Sequence, residues 1–221
     1  MAGGTLYAWA AQSPGARVLL GRGTSWAATL PNGNEVVVRH SRHGGTLAPL
    51  TRDLFLLPTR APRELRVALR LRESGVPTSE VVAYAVYPAL AVLARADIAT
   101  RLLPGLDLPD AWRAARTEEE RVVLMQALGT LLGRLRVAGA IHPDLNLKNV
   151  FICRDEASTR AYVLDVDRVM FGDTGNQSHT EKNVRRLMQS AGRWNREQGL
   201  GLDWTRYTTT IERAANLEHG T

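Results

Sequence analysis

From Arg17 to Arg39 the hydrophobic and polar positions alternate as they do in a strand, turn, strand unit. Val18-Leu19-Leu20 runs into Gly21-Arg22-Gly23, and a second run from Trp26 to Leu30 meets the turn Pro31-Asn32-Gly33-Asn34 before Glu35-Val36-Val37-Val38-Arg39. Asn-Gly between β-rich runs is a good hairpin signal. After the basic stretch His40 to Gly45 and a loop, the pattern predicts a helix beginning near Pro62. It carries Leu65, Ala68, Leu69 and Leu71 and is closed by Gly75 and Pro77. Two more β-rich runs, Glu80 to Tyr87 and Ala91 to Leu103, are expected to meet in a turn at Pro88. The segment around Pro104, Gly105 and Pro109 reads as a connector.

The clearest helix is expected from Glu118 to Ala138, where Leu124, Leu128, Leu131 and Leu135 form one apolar stripe. Glu118, Glu119 and Glu120 suit its positive N-terminal end, and Gly139 is a natural stop. His142 to Asn149 follows, then the apolar run Val150 to Ile152, a polar turn, Tyr162 to Leu164, and Asp165-Val166-Asp167. Thr180 to His219 reads as two helices. The expected fold class is therefore α+β, one domain of two lobes. An antiparallel β lobe with one helix covers about 1–103, a hinge 104–109, and a mainly helical lobe with a small hairpin 110–221.

Composition adds exclusions. The chain has 221 residues, 44% hydrophobic and 23% charged, the profile of an ordinary folded protein rather than a disordered or repetitive one. A lone cysteine, Cys153, excludes an intrachain disulfide framework and a multi-cysteine metal site. No apolar run reaches the roughly 18 residues of a membrane span. The start lacks the basic region of a signal peptide, so the expected location is the cytosol, with a membrane surface left open. Lys plus Arg number 28 against 22 acids, a formal +6, and the only lysines are Lys148 and Lys182. Arginine codons of a high-GC genome explain that bias, and so does affinity for a phosphorylated or anionic-lipid partner; both readings stand. Few aromatics and no recognition motif argue against nucleic acid as the partner.

The chemistry concentrates in Ile141-His142-Pro143-Asp144-Leu145-Asn146-Leu147-Lys148-Asn149. Phosphoryl transfer needs a carboxylate beside the attacking hydroxyl and oxygen ligands that hold Mg²⁺ against nucleotide phosphates. Asp144 meets the first need. Asn149, five positions on, and Asp165, a carboxylate at a strand end, meet the second. The spacing is that of the protein-kinase catalytic loop, H-x-D-x-x-x-x-N, followed by an aspartate in the DFG position. The N-terminal half must then supply a phosphate-covering loop, for which Gly21 and Gly23 stand ready. It must also supply a cation with an acidic partner. No lysine precedes Lys148, so Arg39 at the end of the third strand is the substitute and Glu64 on the following helix its partner. Lys148, Asp167 and Arg42 are supporting candidates. Asp167 is expected to order its loop, with Arg168 beside it pairing either with that residue or with a substrate phosphate. His40, His43 and His142 lack the further ligands of a metal site and are expected to be hydrogen-bonded or solvated. His40 to Gly45 either cradles an anionic group or forms a flexible basic loop.

These residues carry a family resemblance. Val38-Arg39-His40-Ser41-Arg42-His43-Gly44-Gly45, the string His142-Pro143-Asp144-Leu145-Asn146 to Asn149, and Leu164-Asp165-Val166-Asp167-Arg168 resemble the lipopolysaccharide-core kinases. Within them the match is nearest to the 3-deoxy-D-manno-octulosonic acid (Kdo) kinases, with the heptose kinases close by. Lys182-Asn183-Val184-Arg185-Arg186-Leu187, Trp204 and Tyr207 are similar to that family's last helices. The chain departs at Val166, where an aromatic residue is common, and at Ser41. The resemblance implies a small, bilobal, protein-kinase-like enzyme. It would use ATP and Mg²⁺ to phosphorylate a hydroxyl of Kdo on the lipid A precursor, as a peripheral protein at the cytoplasmic face of the inner membrane. Asp144 would then be the base, Asn149 and Asp165 the Mg²⁺ ligands, and Arg39 the nucleotide-phosphate contact. The segment from Asp165 to about Thr180 is short and lacks an A-P-E motif, which favours a small or lipid-borne sugar over a protein acceptor. Arg42, Arg52, Arg63, Arg66 and Arg70 are candidates to face anionic head groups. Two rivals remain: a kinase for another sugar, such as heptose or an aminoglycoside, and a pseudokinase binding module suggested by the missing lysine.

Overall fold

The structure, a computed structural model, describes residues 4–20, 23–41, 54–56, 59–90 and 92–217. It divides into two units, residues 1–68 with 79–102, and residues 69–78 with 103–221.

Alternation along β3 (Glu35–His40) buries Val36 and Val38 completely and leaves Glu35 in solvent, and a sheet grows around that face. The antiparallel ladder runs from β1 (Arg17–Leu20) through β2 (Thr24–Thr29) to β3 and on to β6 (Leu93–Arg101). β3 lies along the second half of β6, from Val36 opposite Arg101 to His40 opposite Asp97. The two-residue β4 (Phe55–Leu56) lies along its first residues, and among the described residues β5 (Val81–Leu90) pairs with β6 alone. Pro88 sits inside β5 opposite Ala94 rather than in a turn, followed by a register shift. An edge strand tolerates a residue without an N–H, which is why a turn residue is found there.

The pattern reading passed over α1 (Leu6–Gln12), which Thr5 caps by accepting the Ala8 N–H at 3.0 Å. It packs Ala10, Leu6 and Tyr7 onto Ala28, Val36, Val38 and Ala99. Buried Asp97 ties this helix to the sheet. One carboxylate oxygen accepts from the Tyr7 N–H at 2.8 Å and the Tyr87 hydroxyl at 3.2 Å, and the other meets His40 Nδ1 at 2.5 Å. His40 is thus hydrogen-bonded in the sheet, as expected, and burial pushes the Tyr87 phenol up. Helix α2 (Arg60–Glu73) begins in this unit and ends in the second.

In the second unit the connector has structure of its own. β7 (Gly105–Asp107) pairs with β9 (Val150–Arg154), and Asp107 caps α3 (Leu108–Ala114) through the Asp110 N–H at 3.0 Å. Gly105 lies so close to β9 that a Cβ on it would sit 2.0 Å from the Ile152 carbonyl oxygen. Helix α4 (Glu118–Val137) opens with a capping box between Thr117 and Glu120 and buries Leu124, Leu128, Leu131 and Leu135 as the stripe predicts. Each buried leucine contributes about 1.5–3 kcal/mol, so this stripe anchors the unit. β8 (Ala140–Ile141) follows, then β9, β10 (Thr159–Val163), β11 (Met170–Phe171), α5 (Gln177–Gln198) and α6 (Trp204–Leu217). The tail of α2 is fixed here by the Arg70 guanidinium 3.9 Å from the centre of the Phe171 ring. Val163 closes the turn after it, donating its N–H to the Pro77 carbonyl at 2.9 Å. Among the described residues no helix is long and apolar enough to cross a membrane.

Candidate active site

Helix α4 stops at Gly139, whose φ of +64° turns the chain into β8. β8 pairs with β11, Ile141 opposite Met170, so the loop 142–149 and the turn 165–169 emerge from adjacent strands. At the far side Leu164 donates its N–H to the Asn149 carbonyl at 2.8 Å. The two stretches are therefore stitched together at both ends, which places Asp165 one residue from the partner of Asn149.

The loop is fixed by side chains. Asn183 on α5 accepts the His142 N–H at 3.0 Å and donates to the Ala140 carbonyl at 2.9 Å, and Ser190 Oγ accepts the Leu147 N–H at 3.2 Å. His142 is fully buried. Its Nε2 lies 3.1 Å from the Leu164 carbonyl and its Nδ1 3.2 Å from the Asp144 N–H. Those partners require a neutral ring with the proton on Nε2, and burial lowers its pKa accordingly. The Asp144 carbonyl accepts from Asn146 Nδ2 at 2.8 Å and Asn149 Nδ2 at 3.1 Å. His142 is a structural residue of the loop, as expected of a histidine outside a metal site.

These bonds leave chosen groups for chemistry. Because Nδ2 of Asn149 is taken by the Asp144 carbonyl, its Oδ1 is the atom left to bind a cation. Asp165 has φ +58°, ψ +49°, and is the one non-glycine residue with positive φ among the described residues. Such strain clusters at functional positions. Asn149 Oδ1 and the Asp165 carboxylate are hard oxygen donors of the kind Mg²⁺ takes with one or two protein ligands plus phosphate, so the residues fit that ion. Asp167 is buried in the turn after Asp165. The Asp144 carboxylate is half-exposed, and Arg168 Nη1 donates to its Oδ2 at 2.5 Å. Arg168 was expected to pair with Asp167 or a substrate phosphate; the turn at 166–168 aims it at Asp144 instead.

In the first unit Arg39 is ion-paired with Glu64, which is buried at the start of α2, so the anticipated partners do meet. Gly23 is exposed ahead of β2, while Gly21 and Arg42 lie outside the described residues. Lys148 turns away from Asp144: its Nζ is 2.8 Å from Asp107 Oδ2 and 5.5 Å from the Trp194 ring centre. It latches the loop 142–149 to the cap of α3. Ser190 escaped the sequence reading and Asn183 entered it only within the resemblance of 182–187, although polar residues in line with Leu187 on the apolar stripe of α5 were the available signal for their role.

An antiparallel sheet followed by a helical unit bearing this loop is the architecture of a protein-kinase-like phosphotransferase. The chain belongs to the lipopolysaccharide kinase (Kdo/WaaP) family, whose model matches residues 7–210. It is similar to the 3-deoxy-D-manno-octulosonic acid kinase of Vibrio vulnificus strain YJ016, at 29% identity over 185 residues, 80% of this chain and 75% of the relative. The enzyme of the same name from Stenotrophomonas maltophilia strain K279a is 30% identical over 179 residues, 77% of this chain and 66% of the relative. Among solved structures, WaaP in complex with acyl carrier protein has the same fold. Its TM-score is 0.53 at 19% identity, covering 92% of this chain and 88% of that one. The enzyme is thus a kinase acting on a sugar hydroxyl.

Proposed function

We propose that this kinase transfers the γ-phosphoryl group of ATP to a hydroxyl of the Kdo residue on the lipid A precursor. The observation that carries the reading is the hydrogen-bonded pairing of the loop bearing Asp144 and Asn149 with the turn bearing Asp165, in a chain whose relatives are named Kdo kinases. Asp144 orients the acceptor hydroxyl and takes its proton as the oxygen–phosphorus bond forms. The bond from the γ-phosphorus to the bridging oxygen breaks, and its electron pair leaves with ADP. Asn149 Oδ1 and Asp165 hold Mg²⁺, which when bound offsets phosphate charge. Within the first unit, Arg39, held by Glu64, is the cation suited to a phosphate.

The acceptor is lipid-borne, so the enzyme works as a peripheral protein on the cytoplasmic face of the inner membrane. Arg63 and Arg66, exposed on the same stretch of α2, support an anionic surface as its partner.

The test is transfer of label from γ-labelled ATP, with Mg²⁺, to Kdo-bearing lipid A precursor, with Asp144→Ala as the control. Label in the lipid that disappears with the variant, while nucleotide affinity stays similar, is the expected result. A variant that keeps most of its activity overturns the role of Asp144. Nucleotide binding without label in this lipid overturns the acceptor.

A further inference from the structure

Arg168 has its stem fixed and its head held by a single bond to Asp144. It closes the turn 166–168, in which Val166 and Asp167 are buried and the Val169 N–H returns to the Val166 carbonyl at 3.0 Å. The next residues form β11 against β8. Its guanidinium reaches Asp144 Oδ2, its one hydrogen-bonding partner among the described residues. The two side chains are 56% and 41% exposed. An ion pair that open to solvent is worth about 0–1 kcal/mol, so a better anion displaces it readily. One Nη1 bond to one oxygen also leaves most of a planar, five-donor fork unused, in the geometry that suits bidentate binding of a carboxylate. The pair engages one of the two carboxylate oxygens of Asp144, and moving the guanidinium to another anion frees both for the acceptor hydroxyl.

We propose that Arg168 is a specificity-determining residue that exchanges Asp144 for a carboxylate on the acceptor. A sugar acid then presents its hydroxyl to a freed Asp144, and a neutral sugar leaves the pair closed. A hydroxyl and a carboxylate carried on one sugar ring match a carboxylate and a guanidinium that touch each other. This rests on the proposed role of Asp144 and on the proposed acceptor, and deepens them by naming the residue that reads the acceptor's carboxylate.

The experiment compares the whole protein with Arg168→Gln and Arg168→Lys on two acceptors, Kdo-bearing lipid A precursor and the same lipid with the Kdo carboxylate converted to its methyl ester. The wild-type protein prefers the acid by at least about tenfold in kcat/KM, the scale of a charge-assisted hydrogen bond. In Arg168→Gln that preference falls to within about twofold, through a higher KM for the acid and an unchanged KM for ATP. Arg168→Lys, which keeps the charge without the fork, falls between. Equal losses on acid and ester, or a preference that survives in Arg168→Gln, overturn the proposal and assign Arg168 to the transferring phosphate or to Asp144 alone. Activity retained in Asp144→Ala overturns the underlying reading instead, and that outcome is visible without any Arg168 variant. Because both side chains are exposed, matching melting temperatures of the variants exclude a folding defect.

Discussion

Asn183 accepts the backbone N–H of His142 at 3.0 Å from the buried face of α5, and its amide nitrogen donates to the Ala140 carbonyl at 2.9 Å. A helix side chain completes the hydrogen bonding of the backbone that enters the catalytic loop. In Asn183→Ala two buried backbone groups lose their partners, at about 1–3 kcal/mol each, so the loss should be on the order of 2–4 kcal/mol. Thermal unfolding should show a drop of roughly 5–15 °C, with Asn183→Asp, which keeps only the acceptor, in between. An unchanged melting temperature means that water replaces the amide and that α5 does not set the loop.

Asp165 combines a left-handed backbone with a candidate metal ligand. Asparagine also tolerates that conformation, so Asp165→Asn should keep stability within about 1 kcal/mol while phosphate transfer falls by at least about a hundredfold. Unfolding in urea and labelled-ATP transfer measure the two quantities. Transfer close to wild type removes Asp165 from the metal site.

Burial lowers the His142 pKa below that of an unfolded histidine, about 6.5. The unfolded chain then binds the proton more tightly than the folded one. The neutral ring's contribution is complete above pH 6.5 and is lost as pH falls from there toward the folded-state value. Protonation also removes the Nδ1 lone pair that accepts the Asp144 N–H. Urea midpoints between pH 8 and 5 should fall more steeply for the wild type than for His142→Asn, by up to about 1.4 kcal/mol per pH unit. Parallel slopes overturn the assignment.

A methyl group at position 105 has no room beside β9. Gly105→Ala should separate β7 from β9 at a cost of about 1–3 kcal/mol. It should also loosen Asp107, which caps α3 and holds Lys148. Lower stability together with lower activity is the expected pair of results in unfolding and transfer assays. Wild-type stability means that the strand absorbs the methyl group by a local shift.

The hairpin at 17–40 and helix α4 could be read from periodicity because each rests on contacts within a short stretch of chain. That Asp144 and Asn149 sit together could be read for the same reason, since they share one loop. Helix α1 could not: seven residues carry too little pattern, and the buried Asp97 that anchors it lies 90 residues further on. The two-residue strands β8 and β11 exist only through each other. Pro88 misled because its lack of an N–H marks an edge strand as readily as a turn. Arg168 and Asp144 meet across 24 residues through that same small pairing, which no local spacing reveals.

Arginine at position 39 of β3, the proposed phosphate contact, also decides which reagents would report a nucleotide bound there. The only side-chain amines in the chain are Lys148 and Lys182. Lys148 is engaged by a carboxylate and an indole. Acylating nucleotide probes, which report on kinases by modifying an amine near the phosphates, find none at position 39. Vicinal dicarbonyls that condense with guanidinium groups are the matching chemistry, and protection of Arg39 from them by nucleotide would report occupancy of the site.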